Sequence, residues 1–153
     1  MAPWPKGPAT HPYWGPVRAL MTGFALDETI RFEGSSGGAI SALLIHALNT
    51  GLVDRVLHTA ADPDDPTRNA VAVSTTREEV LAGAGSRYTA SSPLAQIEAE
   101  LARGGSMAFV GKPCDVSALR QLGKSDPRVA IHIPLMLSFF CGGIPSHDGV
   151  GRI

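Results

Sequence analysis

Strand-like and helix-like patterns alternate along most of this chain of 153 residues. Short apolar runs suited to strands occupy residues 55–60, 70–74 and 107–110, and segments with helix signals separate them. This alternation predicts a single α/β domain whose mostly parallel sheet is flanked by helices. Ligands of open α/β sheets bind beyond the carboxyl ends of the strands. We therefore expect the polar and glycine-rich loops that follow the strands to share one site.

Three further segments are predicted to be strands: residues 17–25, residues 30–32 and residues 129–140. The last is almost continuously apolar, which is typical of a strand covered on both faces. Residues 1–16 contain five of the 12 prolines. Proline fixes φ and removes a hydrogen-bond donor, so these residues predict an extended lead-in to a domain of residues 17–153.

Composition excludes several classes of protein. The net charge is −1, and the 13 basic and 14 acidic residues form no basic stripe, so we expect no nucleic-acid partner. The longest apolar run, residues 133–144, is too short and too interrupted to cross a bilayer, so we expect no membrane insertion. Two cysteines cannot build a disulfide framework, and the chain starts without a signal-peptide pattern. These features predict a cytoplasmic protein.

The sharpest local motif is the loop of residues 34–38, Gly-Ser-Ser-Gly-Gly. A strong helix pattern follows it. Glycines let the backbone approach a ligand closely, and the free N–H groups of the next helix attract anions. Ser35 and Ser36 add hydroxyl donors. The loop therefore suits a diphosphate or a flavin phosphate, and a plain strand–helix turn is the alternative. The apolar face of the following helix is predicted to consist of Ile40, Leu43, Leu44, Ala47 and Leu48.

The same loop also fits the G-x-S-x-G nucleophile elbow of α/β-hydrolases, through Gly34, Ser36 and Gly38. In that alternative Ser36 is the nucleophile of a serine hydrolase. The acid and the base would follow in the order that these enzymes use. The candidate acids are Asp115 and Asp126, and the candidate bases are His132 and His147.

Two other loops carry side chains suited to binding. The run Gly85-Ser86-Arg87-Tyr88 combines a tight glycine, a hydroxyl, a guanidinium and an aromatic ring, and Arg87 could hold a phosphate through its bidentate fork. A plain surface loop is the alternative. Residues 111–114 are expected to form a sharp turn before a helix capped by Asp115. Thr75 or Thr76 forms a capping box with the glutamate three residues later, at the start of a helix through Ala82.

The two cysteines, Cys114 and Cys141, each follow a predicted strand and stand beside small residues. Thiolates in such places bind metals or perform redox chemistry, whereas a buried inert thiol is the alternative. Because both follow strands of a parallel sheet, we expect them to approach one another without forming a structural disulfide. Two cysteines alone cannot ligate a four-iron cluster.

Five motifs in a fixed order resemble one family. They are residues 34–38 with the apolar helix, 75–79 (Thr-Thr-Arg-Glu-Glu), 85–88, 109–114 (Phe-Val-Gly-Lys-Pro-Cys) and 138–143 (Ser-Phe-Phe-Cys-Gly-Gly). This succession resembles the beta-subunit family of coenzyme F420 hydrogenases and dehydrogenases. The likeness extends over roughly residues 14–149.

The resemblance implies a flavin-dependent oxidoreductase that passes hydride or electrons between bound FAD and a partner substrate, with coenzyme F420 as a candidate substrate. An iron–sulfur cluster is implied only where other sequence completes the ligand set, with Cys114 and Cys141 as incomplete metal ligands. The partners implied are a redox protein or further domain, a small-molecule hydride donor or acceptor, and a homo-oligomer. The residues that the resemblance assigns to cofactor binding are Gly34, Ser35, Ser36, Gly37, Gly38, Thr75, Thr76, Arg77, Gly85, Ser86, Arg87, Tyr88, Lys112, Pro113 and Cys114.

Members of this family commonly carry cysteine-rich sequence before this region and a further domain after it. We therefore expect the domain of residues 17–153 to be truncated at its C-terminus. A third alternative follows from that expectation: a non-catalytic interaction module that remains after loss of the flanking regions.

Overall fold

A computed structural model describes residues 10–13, 15–17 and 20–145. Two short 3₁₀ turns, Ser35–Gly38 and Pro93–Gln96, lead into helices. The strands are β1 (Thr10–His11), β2 (Gly15–Pro16), β3 (Arg55–Ala61), β4 (Asn69–Ser74), β5 (Met107–Gly111) and β6 (Leu135–Ser138), and the α-helices are α1 (Glu28–Glu33), α2 (Ala39–Asn49), α3 (Arg77–Ala82), α4 (Ile97–Arg103), α5 (Pro113–Leu122) and α6 (Pro127–His132).

The main sheet has the strand order β4-β3-β5-β6. Strand β3 is parallel to β5, with Arg55 opposite Met107, and β5 is parallel to β6, with Gly111 opposite Ser138. Strand β4 is antiparallel to β3. The prediction of a mostly parallel sheet flanked by helices is confirmed. Strands β1 and β2 form a separate two-stranded pair near the N-terminus.

Helices cover both faces of the sheet because the side chains of the central strands alternate between two apolar clusters. In β5, Ala108 and Val110 pack with residues of α1, α2 and α3, such as Leu44. Met107 and Phe109 point the other way and pack with residues of α4, α5 and α6. The period of two along a strand thus produces one core on each side of the sheet.

The helix predictions hold best where a capping signal exists. The Thr76 hydroxyl accepts a hydrogen bond from the Glu79 backbone N–H, and the Glu79 carboxylate accepts one from the Thr76 N–H, as the predicted capping box requires. Gly51 ends α2 with a φ of +68°, as expected for a left-handed residue. Leu43, however, is 53% exposed, and Ile45 takes its place on the buried face.

Two predicted strands are wrong, and a third is only partly right. Residues 30–32 belong to α1, because the Asp27 side chain caps that helix by accepting a hydrogen bond from the Ile30 N–H. Residues 17 and 20–25 lie in no strand. The apolar run 129–140 divides into the end of α6 and the short strand β6. Helix α6 begins at Pro127 with Asp126 as its N-cap, and Pro134 follows its end.

The sharp turn predicted over residues 111–114 is shorter than expected. Helix α5 begins at Pro113, so Cys114 and Asp115 lie inside its first turn. Most of the lead-in, residues 1–9, lies outside the described residues. Among the residues that the structure describes, no helix has the length and apolar character needed to cross a membrane.

Candidate functional site

A pocket of about 330 Å³ lies beyond the carboxyl ends of β3, β5 and β6. Its volume lies at the lower end of the range of about 300–1,000 Å³ typical of small-molecule sites. Loops that are distant in sequence meet there, as the sheet topology predicts. The segments around it are residues 35–36 with the start of α2, residues 84–89, residues 110–112 at the carboxyl end of β5, and residues 139–144 after β6.

The glycine-rich loop has an unusual backbone. Ser36, Gly37 and Gly38 have φ values of 52°, 71° and 70°, in the left-handed region. A side chain at Gly34 or Gly38 would collide with the carbonyl oxygen of Ile30, within α1. These glycines therefore allow the loop to pack on α1, and the pocket is lined by Ser35 and Ser36 instead.

The loop of residues 85–88 contacts the glycine-rich loop directly. Ser86 Oγ donates a hydrogen bond of 2.7 Å to Ser35 Oγ. Gly85, Ser86, Arg87 and Tyr88 all line the pocket. The structure thus brings together the two loops that the sequence marked as binding loops.

Arg87 is engaged by the protein. Its Nε donates to Asn69 Oδ1 at 2.6 Å, and its Nη2 donates to the carbonyl oxygens of Pro66 and Arg68. These bonds fasten the β3–β4 turn to the edge of the pocket. Among the described residues, none accepts a hydrogen bond from Nη1, so this nitrogen is the part of the guanidinium that could contact a ligand.

Lys112 lies at the pocket between β5 and α5 and is only 8% exposed. Its ammonium group is 2.7 Å from Asp115 Oδ2 and also donates to the hydroxyl of Ser91 at 2.9 Å and to its carbonyl at 3.3 Å. An ammonium group has three donors, and the protein provides an acceptor for each. Lys112 therefore brings a neutralised ion pair to the pocket rather than a free positive charge.

His58 forms part of the pocket wall from the middle of β3 and is 6% exposed. Its Nε2 lies 2.7 Å from Ser74 Oγ, and Gly83 packs against the ring. Burial lowers the pKa of His58, and a hydrogen bond with the Thr59 backbone partly opposes this. The imidazole is therefore neutral near pH 7.

Aromatic and apolar groups surround the pocket. Phe139, Phe140 and Cys141 line it just after β6, and Phe140 is 86% exposed. Tyr88 is exposed at the same pocket. Exposed rings beside a partly apolar pocket can stack on a planar ligand.

Some predicted site residues lie elsewhere. Thr75, Thr76 and Arg77 do not line the pocket. They follow β4, which runs antiparallel to β3, so they lie near the amino end of β3, opposite to the end that faces the pocket. Thr76 caps α3, Thr75 bonds to Glu79, and Arg77 pairs with Asp27 at 2.8 Å. Gly34, Gly37, Gly38, Pro113 and Cys114 also lie outside the pocket lining.

The described residues do not assemble the serine-hydrolase alternative. Ser36 follows helix α1 rather than a strand, so the strand–turn–helix context of a nucleophile elbow is missing. His132 Nδ1 is bonded to the carbonyl of Gly105, before the amino end of β5 and away from the pocket. Asp126 is bound by Arg128, and His147 lies outside the described residues.

The two cysteines have related positions. Gly111 and Ser138 are paired in register, and Cys114 and Cys141 each follow three residues later. Both thiols are free and exposed, but only Cys141 lines the pocket. Within the described part of the chain, no three His, Cys, Asp or Glu side chains are grouped to hold a metal ion. These residues alone do not fit an iron–sulfur cluster, which needs four ligands.

Sequence reasoning missed His58, Asn69, Thr89 and Ser91. His58 could have been suspected, because it belongs to a strand whose carboxyl end was expected to face the site. Thr89 and Ser91 belong to an irregular segment that carries no recognisable signal. They reach the pocket through tertiary packing.

Comparison with known proteins matches nearly the whole chain to one family. Residues 20–98 match the model for the N-terminal part of the coenzyme F420 hydrogenase/dehydrogenase beta subunit, and residues 104–153 match the model for its C terminus. The chain is 33% identical over 141 residues to the coenzyme F420 hydrogenase subunit beta of Methanococcus voltae, covering 86% of this chain and 50% of that protein.

Two further relatives agree. The F420-dependent formate dehydrogenase 1 subunit beta of Methanococcus maripaludis is 32% identical over 121 residues, with 78% of this chain and 30% of that protein covered. A chain of the F420-reducing [NiFe] hydrogenase complex from Methanosarcina barkeri superposes with a TM-score of 0.73 at 26% identity, covering 82% of this chain and 44% of that chain. This chain thus spans half or less of the length of these relatives. Both family models and these likenesses place the chain in the beta-subunit family of coenzyme F420 hydrogenases and dehydrogenases.

Proposed function

We propose that this chain binds FAD in the pocket beyond β3, β5 and β6 and serves as the flavin-binding core of an oxidoreductase. The observation that carries the proposal is the meeting of the two predicted binding loops through Ser35 and Ser86 at one pocket. Family membership supports a redox role, since the relatives are named as hydrogenase and dehydrogenase subunits.

The donors around the pocket suit a dinucleotide. Ser35, Ser36, the start of α2 and Arg87 all line the pocket, and their hydroxyl, backbone N–H and Nη1 groups can donate hydrogen bonds to phosphate oxygens. Tyr88 and Phe140 offer stacking surfaces at the rim. A pocket of this volume encloses one end of such a ligand, and the rim contacts the rest.

When bound, the flavin supplies the hydride chemistry, and the protein binds and orients it. Ser35 and Ser86 hold the two loops together, and the Lys112–Asp115 pair fixes the wall formed by α5. A small hydride donor or acceptor would reach the site through the exposed rim near Phe140 and Cys141. The names of the relatives make coenzyme F420 the first candidate for that molecule.

We further propose a protein partner that relays electrons. The relatives are named as subunits of larger enzymes. On this chain, Leu26, just before α1, and Phe32, within α1, are 90% and 87% exposed. Exposed large apolar side chains on this segment are candidate contacts for such a partner.

The direct test is titration of the purified chain with FAD, followed by flavin absorbance and fluorescence. We expect one flavin per chain and a weaker affinity for the Ser35→Ala and Ser86→Ala variants. Thr75→Ala is the matched control, since it removes a similar hydroxyl outside the pocket, at the opposite end of the strands. Its affinity for FAD should equal that of the wild type. Failure of the wild type to bind FAD would overturn the proposal.

A second measurement concerns the substrate. Reduced coenzyme F420 added without oxygen should bleach the absorbance of bound FAD, whereas NADH should do so more slowly. A fluorophosphonate probe should not label Ser36. Labelling at Ser36 together with absence of flavin binding would favour the hydrolase instead.

A further inference from the structure

Arg87 is held in place by uncharged acceptors. Its Nε donates to the side-chain oxygen of Asn69, and its Nη2 donates to the backbone oxygens of Pro66 and Arg68. Among the described residues, no ion pair includes Arg87. Six other arginines do pair with a carboxylate: Arg31, Arg55, Arg68, Arg77, Arg103 and Arg128. The protein therefore fixes the Arg87 guanidinium without compensating its charge.

Two donors of this guanidinium remain available. A guanidinium carries five N–H donors, and the bonds to Asn69, Pro66 and Arg68 use three of them, so both N–H groups of Nη1 are left. In the part of the chain that the structure describes, Thr89 Oγ1 is the one buried side-chain nitrogen or oxygen without a hydrogen-bond partner. Arg87 Nη1 also has no such partner, so it is not buried and can meet a ligand that arrives from solvent.

The charges that line the pocket leave one positive charge over. The described residues of the lining include three charged side chains: Arg87, Lys112 and Asp115. Lys112 and Asp115 pair with each other at 2.7 Å. The surplus charge therefore lies on Arg87, and a guanidinium with free N–H groups is suited to a phosphate.

Asn69 connects Arg87 to the sheet. It is the first residue of β4 and pairs with Ala61, the last residue of β3, so the antiparallel pairing brings it to the end of β3 that faces the pocket. Its Oδ1 accepts from Arg87 Nε at 2.6 Å, and its Nδ2 donates to the Thr89 carbonyl oxygen at 3.0 Å. Both ends of the amide thus hold the segment that carries Arg87, one through the side chain and one through the backbone.

We propose that Asn69 is a positioning residue, which orients Arg87 so that the free Nη1 donors bind a phosphate of the ligand. The proposal rests on the proposed function, because FAD supplies the phosphates. An amide suits this role better than a carboxylate, since it accepts the Nε hydrogen bond without cancelling the charge that attracts the phosphate. A guanidinium already held in place also loses less conformational freedom when the ligand binds.

The test is a double-mutant cycle on FAD affinity, measured by flavin fluorescence in Asn69→Ala, Arg87→Met and the double variant. Arg87→Met should raise the dissociation constant about ten- to a hundredfold, and Asn69→Ala should raise it about three- to tenfold. In the Arg87→Met background, Asn69→Ala should change the dissociation constant by less than about twofold, because Asn69 acts through Arg87. Asn49→Ala is the matched control, since Asn49 is an exposed asparagine outside the pocket lining, and its affinity should equal that of the wild type.

Two further measurements separate positioning from a general effect on the pocket. Riboflavin lacks the phosphates, so its affinity should stay within about twofold of the wild-type value in Asn69→Ala. Asn69→Asp keeps an acceptor for Arg87 Nε, so the loop should stay in place even where Asn69→Ala loosens it. Its carboxylate cancels the guanidinium charge, and FAD affinity should fall at least as far as in Asn69→Ala.

The proposal is overturned by additive effects of Asn69→Ala and Arg87→Met, since Asn69 would then act on FAD independently of Arg87. Equal losses of FAD and riboflavin affinity in Asn69→Ala also overturn it, because Asn69 would then shape the pocket as a whole. Wild-type affinity for FAD in Asn69→Asp would show that the uncompensated charge does not matter. If the wild type binds no FAD, the proposed function itself fails, which is a distinct result.

Discussion

Ser86 Oγ donates a hydrogen bond of 2.7 Å to Ser35 Oγ, and this contact joins loops that lie 51 positions apart in the sequence. Each serine directly follows a glycine, and both serines line the same pocket. Because the side chains are exposed, water competes for the bond, and its contribution to stability is modest. Its main consequence is geometric: the hydroxyls are held where a ligand entering the pocket meets both.

A double-mutant cycle measures this contact. Ser35→Ala, Ser86→Ala and the double variant are compared by urea unfolding. We expect a coupling energy of about 0.5–1 kcal/mol, because each single variant removes the same hydrogen bond. Strictly additive effects on the free energy of unfolding would show that the serines do not interact in solution.

Ser36→Gly should separate stability from binding. Ser36 has a φ of 52°, which costs a residue with a Cβ about 1 kcal/mol and costs glycine little. The variant should therefore unfold with a free energy about 0.5–1 kcal/mol higher than that of the wild type, while losing a pocket hydroxyl and FAD affinity. Ser35→Gly is the control, since Ser35 lacks positive φ and should be destabilised by the substitution. A loss of stability in Ser36→Gly would contradict this.

Gly83→Ala should damage the pocket wall. A Cβ at position 83 would collide with Cε1 of His58, and the bond between His58 and Ser74 prevents the ring from yielding freely. Overpacking of this kind costs about 1–3 kcal/mol. Gly23→Ala is the matched control, because a methyl group there would meet nothing within 4 Å. The penalty at Gly83, measured by urea unfolding, should shrink in a His58→Ala background.

The sequence predicts elements of this fold where a local signal decides the structure. Helix α3 is one case, because the Thr76–Glu79 capping box specifies its start. Helix α1 is the opposite case. Ile30 is β-branched and Phe32 is aromatic, and both types favour strands. A side-chain cap from Asp27 and packing against the glycine-rich loop nevertheless make this segment helical. The Asp27 cap is itself a local signal, whereas the packing on the glycine-rich loop is tertiary and overrides the local preference of residues 30–32.

The candidate site likewise contains residues whose positions a local sequence signal predicts and residues whose positions depend on tertiary structure. Ser35 and Ser86 are predictable, since both lie in glycine turns next to helix patterns. The place of Thr75 and Arg77 is not, because it depends on β4 being antiparallel to β3, and pairing direction leaves no mark in a single strand. The Lys112–Asp115–Ser91 cluster likewise arises from packing, so Lys112, which the resemblance assigned to cofactor binding, is already paired.

Glu100→Gln should be strongly destabilising. Its carboxylate receives Arg55 Nε at 2.6 Å, its carbonyl receives Arg55 Nη2 at 2.9 Å, and both residues are buried. Breaking a buried pair leaves an uncompensated charge, which costs about 3–5 kcal/mol. Glu28→Gln is the control, since its pair with Arg31 is 3.9 Å long and exposed and should be worth less than about 1 kcal/mol. Equal effects in chemical unfolding would show that Arg55 finds another partner.

His58 should make the stability fall as the solution becomes mildly acidic. Burial lowers the pKa of His58 below its ordinary value of 6.5, so the unfolded chain takes up a proton there before the folded chain does. The unfolded state then binds more protons, and the free energy of unfolding decreases as the pH falls below about 6.5, by up to about 1.4 kcal/mol per pH unit. Hydrogen bonds lower the pKa of Asp27 and Glu79 below 3.8 and 4.5, so their contributions to stability are lost only in a more acidic range.

In His58→Gln, which keeps a group able to bond Ser74 but cannot titrate, the free energy of urea unfolding between pH 7 and pH 5 should vary much less with pH. The exposed His46→Gln should retain the wild-type slope. Identical slopes in all three proteins would show that His58 is protonated equally in the folded and unfolded states.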